Sequence, residues 1–84
     1  MNKLEIRAKK IWFDSDFIYI ETLDNIVGKM ALSWFPRLSK ATILELSKFE
    51  LWEDGAWIHW EELGEDISAE GFFTFKKEII PNYV

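Results

Sequence analysis

The chain has no cysteine, so neither a disulfide nor a thiolate zinc site can hold it together. The missing staples point to a reducing compartment, and the expected location is the cytoplasm. No basic segment followed by an apolar one opens the sequence, so no signal peptide is expected. No apolar run approaches the roughly 18 residues that cross a bilayer, which leaves no expected membrane span. Internal repeats, low-complexity stretches and linkers are absent as well. There is one histidine, and no motif places a serine as a nucleophile.

What remains is a short, ring-rich chain. Eighty-four residues make one domain. Such a chain buries only about 60% of its unfolded surface. Aromatic residues make up 17% of it, five of them tryptophans, and each large ring buries roughly 150–250 Å². A small core is therefore feasible. The net charge of −5 is unevenly spread: residues 1–40 carry +2 and residues 41–84 carry −7. The acidic half repels phosphate, so nucleic acid is an unfavoured partner. It serves either as an interaction face or as a solubilising surface.

The first forty residues read as strands. Residues 4–13 end at Asp14-Ser15-Asp16, a turn composition. The β-branched and aromatic run 17–22 is a second strand. After a turn at Leu23-Asp24-Asn25, residues 26–32 form a third, with Gly28 a candidate bulge. Short connections make the three an antiparallel meander. Pro36 stops the strand pattern and suits a first helical turn. Thr42-Ile43-Leu44-Glu45 is a capping-box pattern, which predicts a short helix over 42–48 with Ile43, Leu46 and Phe49 as its buried stripe.

Asp54-Gly55 is the strongest local signal. Flanked by apolar runs, it predicts a two-residue type I′ hairpin whose paired residues sum to 109. Phe49, Leu51, Ile58 and Trp60 then share one face. Glu50, Trp52, Trp57 and His59 share the other. Asp66 or Ser68 can cap a last helix over 67–73. The expected fold is thus α+β and two-layered, an antiparallel sheet made of a three-stranded meander plus a hairpin, with two short helices. Residues 1–75 form the domain, and 76–84 a loosely held tail.

The chemistry is concentrated in residues 56–68. His59 can pair with Glu50 as a general base, or simply hydrogen-bond to it or to the acidic loop that follows. Glu61, Glu62, Glu65 and Asp66 can bind a hard cation, or cap and solvate a loop. Their spacing matches no known metal motif, so no metal and no cofactor are expected. Arg37 can pin the Glu65-Asp66 loop to the first helical turn, or anchor an acidic partner or phosphate. A core this small cannot hide five tryptophans, and the hairpin register puts Trp52 and Trp57 outside, where they lid the core edge or mark an interface.

Four separated segments carry a family resemblance: Trp34-Phe35-Pro36-Arg37-Leu38, Ala41-Thr42, Ile58-His59-Trp60 and Glu65-Asp66-Ile67-Ser68. Together they resemble a small bacterial family of domains of unknown function, over about residues 5–75. The resemblance implies the fold of the N-terminal domain of some helix-turn-helix proteins. It also implies kinship with standalone proteins encoded beside small neighbours, as toxin–antitoxin pairs are. Glu61 stands where that family usually has proline, Gly64 where it has the first of three acids, and Asn25 where its turn has glycine. The nine residues after Phe75 are too few for a helix-turn-helix, so the DNA-binding role of longer relatives is not expected to transfer. The expected function is a non-catalytic interaction module, regulatory or antitoxin-like, that binds another protein such as an operon neighbour. Its candidate partner-binding residues are Trp52, Trp57, His59, Arg37, Glu65 and Asp66. The competing expectation is a metal-dependent hydrolase or other enzyme using His59 and the 61–66 carboxylates.

Overall fold

In a computed structural model, residues 6–74 of the chain are described. Their fold is α+β: two small antiparallel three-stranded sheets joined by short helices. The expected tail at 76–84 lies outside the described residues.

The first sheet is the meander β1 (Ala8–Phe13), β2 (Phe17–Thr22) and β3 (Val27–Ala31), in that order. In β2, alternation puts Ile18, Ile20 and Thr22 inside and Phe17, Tyr19 and Glu21 outside. β1 breaks strict alternation, because its buried residues are Ala8 and Ile11. A register shift between Ala8 and Lys10 reconciles them: one extra residue turns both side chains to the core. The bulge therefore sits in β1 and not at Gly28, which pairs in register with Ile20. Gly28 is small for another reason. A Cβ there would lie 2.7 Å from the Phe73 ring.

Both meander turns are fixed by side chains. The Asp14 carboxylate accepts the backbone N–H groups of Asp16 and Phe17 at 2.8 Å and the Tyr19 hydroxyl at 2.5 Å. These bonds, that from Tyr19 foremost, hold its pKa below the usual carboxylate range. In the second turn Thr22 Oγ1, buried, accepts from the N–H groups of Asp24 and Ile26, and Asn25 takes the left-handed conformation its turn requires.

A 3₁₀ turn (Leu32–Trp34) leads into α1 (Pro36–Ser39), with proline at its first position, and then α2 (Ile43–Leu46). The capping box is formed: Glu45 N–H donates to Thr42 Oγ1 at 3.1 Å, and Thr42 N–H to Glu45 Oε1 at 2.9 Å. The expected buried stripe is only partly present. Leu46 is buried and Phe49 packs against the core, but Ile43 is 65% exposed. A helix of one turn presents one residue to the core, and that residue is Leu46.

The hairpin consists of β4 (Glu50–Trp52) and β5 (Trp57–Trp60), and its pairs sum to 109. Asp54 (φ 61°, ψ 29°) and Gly55 (φ 97°) both have the positive φ of a type I′ turn. The turn tip docks on the first sheet, where Gly55 is buried against the Ala8 backbone and Arg7 Nη1 lies 3.2 Å from Asp54 Oδ2.

The largest departure from expectation follows. Residues 66–68, expected to cap and open a last helix over 67–73, instead belong to β6 (Glu65–Ser68), which pairs with β5. The hairpin therefore belongs to a second sheet of order β4-β5-β6 and is not an extension of the meander. Helix begins only at α3 (Gly71–Thr74), where Ser68 Oγ accepts the Gly71 N–H at 3.0 Å. Acidic residues ahead of an apolar one resemble a helix start, but an open β5 edge outweighs that local signal.

One hydrophobic core joins the elements. Ile11, Ile18, Ile20 and Met30 come from the first sheet, Ile58, Trp60 and Ile67 from the second, and Leu38, Leu46 and Phe72 from the helices. Among the described residues no helix is long and apolar enough to cross a membrane.

Candidate functional site

Because Ile58, Trp60 and Ile67 point inward, alternation turns Trp52, Trp57, His59 and Asp66 to the outer face of the second sheet. Glu50, His59 and Asp66 form one row across the strands, and Trp52, Trp57 and Ser68 the next.

His59 is the centre of this face. Its Nδ1 donates to Asp66 Oδ1 and its Nε2 donates to Glu61 Oε1 at 2.8 Å, while the Trp52 ring stacks on it with centroids 3.8 Å apart. Covered this way, a ring on an outer face keeps a side-chain exposure of only 12%. With an ionised carboxylate at each nitrogen, both nitrogens hold hydrogen best, which is the imidazolium form. Asp66 first and Glu61 second therefore raise the pKa of His59 above its ordinary value, against some loss of solvation. Glu50 is the cross-strand neighbour of His59, but its Oε1 accepts the Trp52 indole N–H at 3.0 Å. The expected His59–Glu50 pair is thus replaced by His59–Asp66, for β6 brings Asp66 alongside and β4 gives Glu50 a different donor.

The other two expected residues lie apart from this cluster. Arg37 reaches the 61–65 loop, but it donates to the Gly64 carbonyl at 2.6 Å and not to a carboxylate. Glu65 pairs with Trp60 and shares the inward parity of Ile67, opposite to Asp66. Glu61, from the acidic loop that the sequence offered as an alternative partner of His59, supplies the second carboxylate on the ring. One residue of the face escaped the sequence reading: Glu53, in the hairpin turn, lines a cleft of about 230 Å³ with Trp52, Trp57 and Asp66. The only available signal for Glu53 was its place beside Asp54-Gly55. A second cleft of about 410 Å³ is also lined by Trp57 and Asp66, with Met30, Phe35, Ser68 and Thr74 among its walls.

The arrangement limits the chemistry. A carboxylate at Nδ1 orients an imidazole as in a general base, but Nε2, the nitrogen that would face a substrate, is bonded to Glu61. The carboxylates lie at opposite edges of the ring and share no centre with it. Among the described residues no group of three or more His, Asp or Glu side chains is arranged to hold a metal ion.

Residues 8–78 match the family described as Protein of unknown function (DUF2442). The chain belongs to that family. No curated protein matches the sequence. Among solved structures, the DUF2442 chain is similar to a protein of unknown function from Rhodospirillum rubrum, with 26% identity and a TM-score of 0.69 over 81% of this chain and 84% of that one.

Proposed function

We propose that this DUF2442 protein is a non-catalytic bacterial interaction module that binds another protein through the outer face of its second sheet. The observation that carries the reading is the pair of cross-strand indoles, Trp52 at 45% and Trp57 at 40% exposure, which together line a cleft. Large rigid rings with few torsions are the side chains that dominate protein interfaces. A sheet face meant only for water carries polar residues at such positions. The family resemblance supports a regulatory or antitoxin-like setting in the cytoplasm, and a small operon neighbour is the first partner to try. The acidity of the face speaks against nucleic acid.

An enzyme using His59 is the competing reading, favoured by the Asp66–His59 contact. It requires Glu61 to release Nε2. Saturable effects of Mg²⁺ or Mn²⁺ confined to residues 59–66, with turnover lost on His59→Ala, would establish it in place of the first.

The interface reading is tested by placing a photo-crosslinking benzoylphenylalanine at position 57 of the full chain in its native host, with position 40 as control. A partner captured at 57 and not at 40 is expected. Its affinity should fall at least about tenfold in the folded Trp52→Ala/Trp57→Ala variant. Equal capture at both positions, or undiminished binding by the double variant, refutes the reading.

A further inference from the structure

The cleft beside Trp57 has aromatic and acidic walls, a combination that a cation on a hydrocarbon stem satisfies. We infer that the cleft walled by Trp52, Trp57, Glu53 and Asp66 receives a lysine or arginine side chain of the partner protein, its stem against the indoles and its charged head at the carboxylates. This rests on the reading of the face as a protein interface and narrows it to one class of side chain.

Three observations converge on a cation. The first is charge. Glu50, Glu53, Glu61 and Asp66 surround the face, and among the described residues no lysine or arginine forms an ion pair with any of them. Among the described residues the group that pairs with these carboxylates is His59, shared between Asp66 and Glu61. Glu53 forms no ion pair among the described residues. The second is the state of the rings. Trp52 is covered on one face by His59, whereas Trp57 has no ring or cation stacked on it among the described residues. The third is that this fold already places cationic groups on rings. Lys29 Nζ sits 4.2 Å from the Phe17 centroid, and His59 lies on Trp52 between two carboxylates. A cation over Trp57 at Glu53 and Asp66 repeats the His59 arrangement one row along the strands.

Other occupants fit less well. A phosphate would meet the two carboxylates of the cleft, Glu53 and Asp66. A wholly apolar helix would bury the Glu53 carboxylate without a partner, which is costly. A second copy of this chain would present the same acidic face to itself, within a molecule of net charge −5. A lysine or arginine satisfies the rings and the acids together, because its hydrocarbon stem lies along apolar surface while its head stays at the charged rim.

The test uses the full chain and three small probes at one ionic strength: the N-acetyl methylamides of lysine, arginine and norleucine. The five indole N–H signals are followed by NMR. Saturable shifts of the Trp57 and Trp52 signals are expected with lysine and arginine, with Trp60 unmoved and norleucine much weaker. Glu53→Gln and, separately, Trp57→Leu should each weaken the cationic probes about two- to fivefold. Equal binding of norleucine, or no shift of either indole with the cationic probes, overturns the inference. Because capture at position 57 detects a partner whatever its charge, the failures separate. A captured partner together with equal norleucine binding sinks only the cationic assignment. No captured partner sinks the interface reading beneath it.

Discussion

Trp60 allows the packing of the core to be separated from its hydrogen bonding. The ring is 1% exposed, meets Phe49 edge to face with centroids 6.3 Å apart, and donates its indole N–H to the Leu46 carbonyl at 2.9 Å. That bond ties the single turn of α2 to β5. Removing the ring in Trp60→Ala loses its burial and leaves a cavity, about 3–5 kcal/mol. A domain of this length has roughly 4–13 kcal/mol in total, so the variant should be near unfolding and little more can be learned from it. Trp60→Phe is the sharper change. It keeps most of the apolar ring and the contact with Phe49 but leaves the Leu46 carbonyl without its donor. An unpaired buried acceptor costs about 1–3 kcal/mol, so about 2 kcal/mol is expected, or a melting temperature roughly 8–16 °C lower. Urea titrations followed by circular dichroism, with thermal melts of the same samples, measure both. A Trp60→Phe protein within about 0.5 kcal/mol of the parent would show that the bond to Leu46 contributes nothing. If His59→Ala proved more damaging than Trp60→Ala, the hairpin faces would be exchanged and the register itself wrong.

Three further outcomes follow from other contacts. Gly55→Ala places a Cβ 2.4 Å from the Ala8 carbonyl oxygen at a φ of +97°, whereas Gly64→Ala meets nothing closer than Arg37 Nη1 at 3.6 Å; the first should cost clearly more than the second, for which the left-handed backbone alone costs about 1–2 kcal/mol, and comparable urea midpoints would refute the docking of the turn on β1. Thr42→Ala removes the hydroxyl that accepts the Glu45 N–H, while the Thr42 backbone N–H can still donate to Glu45, and should cost about 1 kcal/mol, read from the same titrations. Because folding raises the pKa of His59, chiefly through Asp66, its stabilising contribution is full below the unfolded value of about 6.5 and is lost as pH rises through the higher folded value; the melting-temperature gap between the parent and His59→Gln should therefore shrink between pH 6 and pH 8.5, and a gap that widened would refute the charged state assigned to the ring.

The meander, the hairpin register and the capping box were legible in the sequence because each is set by residues near one another in the chain. Asp54-Gly55 fixes the left-handed pair that a type I′ turn demands, and the sum of 109 follows from it. Thr42 and Glu45 need only their own backbone. What was illegible depends on neighbours distant in sequence. The bulge at Ala8/Lys10 exists because Ala8 must face the core beside Ile11, while Gly28, the residue that looked like a bulge, is small to admit Phe73. β6 has one buried apolar residue, Ile67, and its acids suit a helix cap; only pairing with β5 makes it a strand.

That single misreading decides how much of the site could be seen in advance. As a helix cap, Asp66 would point at backbone N–H groups. As the middle of a strand, it stands across from His59 and turns Glu50 from a partner into a bystander. Arg37 completes the reasoning. It was expected to hold a carboxylate of the 65–66 segment, and its bond to the Gly64 carbonyl instead fixes the loop through the backbone. A tie made to a carbonyl consumes no acid. Asp66 is left to His59 and the cleft, and Glu53 and Glu61 remain free of arginine, which keeps the negative charge of the tryptophan face available for whatever approaches it.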